Sequence, residues 1–196
     1  MASEIPAYGL GSESVPPAPI SMEEFERVKR TMMWSEEDDE YLRMAGEVLE
    51  PQVEEMLDRW LGFISGFEFL TDYRRDVDTG EVIEEYGDRS RERYGQWIRD
   101  TCDTPYDRAW LDYQFEIGRR HHRSRKNEAD DVNAAPHIHL RYIVPLVYLH
   151  TATIREFLTA GEHTEADVDG MYRAWFKSVV LQVTLWCYPY TVDGDW

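Results

Sequence analysis

Apolar residues recur along this chain at spacings of three and four, the period of helices with one buried face. The plainest case runs Val53, Met56, Leu57, Trp60 and Ile64. Stripes of the same period are Ile83, Tyr86, Ser90, Tyr94, Trp97 and Ile98, and Trp110, Gln114, Ile117 and His121. Two more are His139, Ile143, Leu146, His150, Ile154 and Phe157, and Val168, Met171, Trp175, Val179, Gln182 and Trp186. Strand-like alternation and internal repeats are both missing, so the pattern predicts an all-α fold of about seven helices.

Punctuation sets the boundaries. Ser21 with Glu24, Ser35 with Asp38 and Thr164 with Asp167 read as capping boxes. They predict helices over about 22–33, 35–66 (with Pro51 as a kink) and 164–188. Residues 67–80 read as loop, and a helix follows over about 81–101. Thr104, Pro105 and Asp107 read as the start of a helix that continues through the segment YDRAWLDYQFEIGRRHHRSRKN, residues 106–127. A further helix over about 137–160 should kink at Pro145. From Val179 to Trp186 the last helix is apolar nearly all round, which suits the centre of the domain or a subunit interface. Residues 1–20 are rich in Pro, Ser, Gly and Ala; Ile5, Tyr8 and Leu10 allow this arm to pack on the body.

One stripe ends in chemistry. At 100° per residue, His121 shares a face with Trp110, Gln114 and Ile117, while His122 turns toward the arginines. A core-facing histidine is either a hydrogen-bonded core residue or a metal ligand, and spacing alone leaves both open. Gly118 beside it allows close approach either of a flat group or of another helix. One imidazole is too few ligands for zinc but sufficient for haem, whose porphyrin supplies the other four nitrogens.

Composition narrows this further. The chain has 196 residues, seven Trp, twelve Tyr, seven Phe and a formal net charge of −18, which disfavours nucleic acid and anionic membranes as partners. The one basic cluster, Arg119, Arg120, Arg123, Arg125 and Lys126, reads mostly as a solvated helix end, with a cofactor's carboxylates as the other reading. Acidic residues read as solvated surface. Cys102 and Cys187 form neither CxxC nor CxxCH, and no signal peptide or spanning segment is visible, so a reduced cytoplasmic location is expected. HExxH, Walker, GxGxxG and GxSxG motifs are missing, as are Glu-x-x-His pairs.

Three stretches carry a family resemblance: AGEVLEPQVEEMLDRW (45–60), WLDYQFEIGRRHHRSRKN (110–127) and MYRAWFKSVVLQVTLW with Tyr188-Pro189-Tyr190 (171–190). Ile5-Pro6 and Gly194-Asp195-Trp196 also fit. In these the chain resembles protoglobin, a single-domain haem globin related to globin-coupled sensors. The resemblance implies a globin-like helical sandwich over residues 21–196 with an extra N-terminal helix, and an arm over 1–20 that packs on the haem domain. It implies haem b, with His121 as the iron's proximal ligand, and a homodimer built by the last two long helices. The small gaseous ligands would be O₂, CO and NO. Trp60 matches the family's distal Trp, Arg93 matches an arginine near a propionate, and Ile117 and Ile138 would pack on the proximal side.

The departures from the family fall at the pocket. Leu61 stands where the family has a distal Tyr, the usual donor to a bound gas. Arg74, Tyr94 and Leu146 stand where large aromatics are expected, His150 replaces an aliphatic residue, and Gly87 and Ser90 replace larger apolar ones. They suggest either a diverged gas-binding pocket or one reshaped, by nature or by engineering, for carbene, nitrene or oxygen transfer to small organic substrates. The distal candidates for turnover are Trp60, Leu61, Tyr94, Leu146 and His150. His150 is either a second polar group or sixth ligand, or a core residue bonded to a carbonyl freed by Pro145. A signalling module and a cofactor-free helical bundle complete the alternatives.

Overall fold

A computed structural model describes residues 5–192, 194 and 196. Its helices are α1 (Met22–Thr31), α2 (Glu36–Leu49), α3 (Val53–Ser65), α4 (Glu68–Thr71), α5 (Glu84–Asp103) and α6 (Arg108–His121). These are followed by α7 (Leu140–Ile143), α8 (Leu146–Ala152), α9 (Ile154–Leu158) and α10 (Glu165–Trp186). Among the described residues the only β contacts are isolated bridges, Arg75 with Val82 and Asp76 with Ala134. The fold is all-α and globin-like, with α1 as an extra helix ahead of the sandwich.

The last helix is central rather than peripheral. From Val179 to Trp186 only Thr184 is exposed, and α10 packs on α2, α6, α8 and α9. Two cores flank it. The larger holds Met56, Leu57, Trp60, Trp97, Ile154 and Trp175; the smaller joins α1 to α6 and α10 through Phe25, Trp110, Phe115, Leu181 and Leu185. Trp60, Trp110 and Trp175 are fully buried. Each withdraws roughly 200 Å² from water, on the order of 5 kcal/mol in transfer free energy.

The capping residues at Ser21 and Thr164 act as the pattern predicts: each side chain accepts from the backbone N–H three residues on. Asp38 accepts from the Ser35 backbone N–H at 2.7 Å, closing the second box from the acid's side.

Four boundaries differ from expectation, each for a local reason. The helix carrying His121 starts later, because Asp107 caps it by accepting from Trp110 N–H at 3.0 Å, while Thr104 ends α5. It also stops at His121 instead of running to Asn127. The His122 backbone turns extended (φ −96°, ψ 157°), and Lys126 N–H bonds back to its carbonyl at 2.9 Å, making a tight loop of the basic segment. The single helix expected over 137–160 is three. Pro145 has no N–H to continue α7. At the second break the Thr153 hydroxyl donates to Leu149 C=O at 2.8 Å and accepts from Trp60 Nε1 at 2.8 Å. His139, read as the first residue of this buried stripe, is the exposed N-cap of α7. Within 67–80, α4 and a 3₁₀ turn over Asp72–Arg74 replace loop.

Gly118 serves helix packing. A Cβ there would lie 2.8 Å from the Trp186 Cα and carbonyl oxygen, so the bare position lets α6 and α10 touch backbone to backbone. The flat-group reading of this glycine does not hold.

Residues 5–20 lie along the body. Ala18 N–H donates to Asp112 at 2.6 Å, Arg108 donates to the Ala18 and Ile20 carbonyls, and Tyr8 O–H donates to Asp100 at 2.8 Å. No helix is long and apolar enough to cross a membrane among the described residues.

Candidate functional site

A cavity of about 300 Å³ lies between α5, α6, α8 and α10. One face of α5 faces it through Tyr86, Ser90, Arg93, Tyr94 and Trp97, residues at helical spacing. Ile117 and His121, one turn apart, come from α6; Leu146 and His150, also one turn apart, come from α8. Ile138, Val183 and Trp186 complete the apolar wall.

His121 is the last residue of α6, and its ring stacks on Trp186 (centroids 5.7 Å apart, planes at 12°). Its Nδ1 lies 2.8 Å from Ile117 C=O. A carbonyl can only accept, so Nδ1 carries the proton and Nε2 keeps a free lone pair. Among the described residues no side chain bonds that Nε2. Desolvation lowers the imidazole's pKa and keeps it neutral; the Ile117 bond opposes this only in part. A neutral imidazole with its outer N–H held by a carbonyl is the form that ligates a metal.

His150 has a different fate. The main-chain group that raises its pKa is Leu146, one turn back on its own helix, rather than a carbonyl freed by Pro145. Its Nε2 pairs with the Tyr94 hydroxyl. The ring is 6% exposed and packs edge-on against Trp60, with centroids 4.8 Å apart. Burial drives its pKa down from 6.5 to about 3. Trp97 and Trp186 separate the two histidines, in ring-to-ring steps of 5.3, 6.0 and 5.7 Å.

Of the residues singled out from sequence, the cavity brings together Arg93, Tyr94, Ile117, His121, Ile138, Leu146 and His150. Trp60 and Leu61 are not among its lining residues. Trp60 stands one layer behind Tyr94 and His150, with its N–H spent on Thr153. Leu61 packs half-buried against the same core.

The charged residues depart from expectation. Glu116, read as solvated, is 1% exposed and gathers Arg120 at 2.9 Å and Arg125 at 3.5 Å. Asp130 is also buried and takes two bonds from Arg93, at 3.0 and 2.7 Å. Three of the five residues of the basic cluster, Arg119, Arg120 and Arg125, are therefore folded around the buried Glu116, as buried charge requires, while Arg123 is exposed as the solvated reading expects. Lys126 is buried too. Its ammonium donates to Tyr73 C=O at 3.3 Å and Asn127 at 2.7 Å, and desolvation lowers its pKa to about 8. The arm closes this polar end of the cavity, with Pro6 C=O accepting from Arg93 and Ala7 C=O from Arg120.

Sequence reasoning placed Trp97 and Trp186 on buried stripes without giving them a role at the site. Arg74 and Ser90, departures expected at the pocket, line the cavity, whereas Gly87 does not; Tyr142 was missed as a lining group, because it comes from a segment whose course depends on tertiary contacts, not period.

These residues fit a flat, largely apolar cofactor held by one metal bond. The cavity offers an unshared imidazole lone pair, aromatic and aliphatic walls, and a polar end rich in arginine. Among the described residues no three His, Cys, Asp or Glu side chains gather as a site for a bare metal ion.

No curated protein matches this sequence. The family model for protoglobin matches residues 21–196, nearly the whole chain. The chain belongs to the protoglobin family, whose members are haem globins that bind gases.

Proposed function

We propose that the protein is a b-type haem globin that binds diatomic gases, O₂, CO and NO, with His121 as the iron's proximal ligand. The observation that carries this reading is the free Nε2 lone pair of His121, fixed by the Nδ1–H bond to Ile117 and turned into an apolar cavity. When bound, haem supplies an open coordination position for the gas. The protein's own part is orientation and exclusion. Ile117 holds the imidazole's rotation, Trp186 stacks on its face, and Ile138 and Val183 keep water from it. Arg93, at the arm end of the cavity, is the side chain on this reading for a propionate, shared with Asp130. Trp60 and Leu61 act from behind, as the packing that seats Tyr94 and His150.

The arm over 1–20 belongs to the haem domain of 21–196 as a cover; its bonds from Tyr8, Ala7 and Pro6 support this. A homodimer through the α8 and α10 side is supported by exposed Tyr148, Val144 and Phe176. A reducing cytoplasmic setting accords with two free cysteines.

A haem titration tests the function. Wild-type protein should develop a Soret band at one haem per chain and, when reduced, bind CO; His121→Gly should bind haem weakly until imidazole is added. An unchanged spectrum in His121→Gly would refute the ligand assignment.

A second reading, haem-dependent carbene, nitrene or oxygen transfer, is supported by the modest side chains Ser90 and Leu146 on the cavity wall, where the family resemblance implies larger ones. Product yield above that of free haem, with a reduced protein and a carbene precursor, tests it. Equal yields would discard it.

A further inference from the structure

Arg74 ends the 3₁₀ turn over Asp72–Arg74, and its side chain lines the cavity together with Tyr86, Tyr94 and His150. The other arginines there are committed. Arg93 serves Asp130 and Pro6 C=O, Arg120 serves Glu116 and Ala7 C=O, and Arg125 stands between Glu116 and Glu128. The Arg74 backbone C=O accepts from Ile83 N–H at 3.0 Å, but its guanidinium has no hydrogen bond and no ion pair among the described residues. The titratable groups that act on it are two tyrosines, Tyr86 and Tyr94, while burial lowers its pKa. A half-buried guanidinium with five donors and no acceptor is an uncompensated charge, and such a group binds an anion when one fits.

The neighbouring polar groups sharpen the point. Tyr94 and His150 are paired with each other. Beside the neutral hydroxyls of Tyr86 and Ser90, Arg74 is the cationic donor of the cavity without a side-chain partner among the described residues.

We infer that Arg74 makes this cavity a binding site for a small monoanion of the carboxylate class, held by the guanidinium beside Tyr94. A guanidinium matches carboxylate geometry with two parallel N–H bonds and is weakly hydrated, which suits a partly desolvated site. The inference goes beyond gas binding, and it rests on the haem reading only for its optical readout. The carboxylate has two possible sources, a free monoanion or a propionate of the cofactor itself; the inference commits to the free one.

The test uses the full-length ferric holoprotein, with formate and azide as probes and CO binding to the reduced form as the neutral control. Arg74→Met should weaken formate and azide by about tenfold to a hundredfold, the loss expected for a charge-assisted pair, and leave CO unchanged. Arg74→Lys should restore part of the anion affinity; it also serves if the Met variant does not fold. Independently of haem, formate should shift one arginine Nε–H signal in the ¹H–¹⁵N spectrum of wild type, a signal missing from Arg74→Met. Equal anion affinities in wild type and Arg74→Met, or an equal loss for CO, would overturn the inference. So would an Arg74 effect that emerges only with haem dimethyl ester, since the propionate would then be the guanidinium's partner. If no Soret band forms at all, the haem reading fails, and the arginine signal alone decides for or against the anion site.

Discussion

Both cavity histidines have the main chain one turn earlier acting on them, Ile117 on His121 and Leu146 on His150, and both are neutral by burial. The difference lies at Nε2. The Tyr94 hydroxyl pairs with the Nε2 of His150, whereas among the described residues no side chain bonds that of His121. A buried acceptor already satisfied is a packing element; a buried acceptor left open toward a cavity is poised for a ligand. The surroundings agree. His150 is wedged against Trp60 and Trp97, while His121 presents one face to Trp186 and its edge to empty space. Stripe position alone could not separate the two residues, because it says which way a side chain points and not what meets it there.

The largest effect should come from deleting each imidazole in turn. His121→Gly should lose haem to an acceptor globin faster by more than about a hundredfold, since losing even an outer-sphere partner of a metal ligand costs ten- to a hundredfold. His150→Leu should hold haem like wild type. Acid unfolding separates them next. The pKa of His150 in the folded state, about 3, lies below its unfolded value of 6.5, so the unfolded chain binds the extra proton. That stability is fully present above pH 6.5 and is lost as pH falls toward 3, by about 1.4 kcal/mol per unit. Urea titrations at several pH values should show His150→Leu lacking this part of the acid slope; parallel slopes would place the acid sensitivity elsewhere.

Smaller changes probe what seats each ring. Gly118→Val forces a side chain against the Trp186 backbone and should cost about 1–3 kcal/mol by overpacking, while shifting the Soret band as Trp186 moves off His121. Tyr94→Phe removes the hydroxyl partner of His150 Nε2, at a cost of about 1–2 kcal/mol in denaturant unfolding. Asp107→Ala, which uncaps the helix carrying His121, should cost about 1 kcal/mol with an unchanged spectrum.

The stripes on α3, α5, α6 and α10 were legible because each helix buries one face over several turns, and period survives small boundary errors. His121 was legible as core-facing for the same reason. The segment 137–160 was not, because its breaks depend on contacts from elsewhere: Trp60 reaches the Thr153 hydroxyl at the second one. The buried roles of Glu116 and Asp130 were hidden as well, since the arginines that bury them arrive from another turn or another helix. Arg74 lay in a stretch without period, and its free guanidinium is a property of the assembled cavity. Trp60 kept its place on a buried stripe, but the layer it occupies is set by the Tyr94 and His150 side chains in front of it.

The central claim is that the bond to iron comes from residue 121 and not from residue 150. Resonance Raman spectra of the reduced, ligand-free protein test it directly. The iron–imidazole stretching band should be present in wild type and in His150→Leu, absent from His121→Gly, and restored there by added imidazole. A band that survives in His121→Gly and vanishes in His150→Leu would contradict the account.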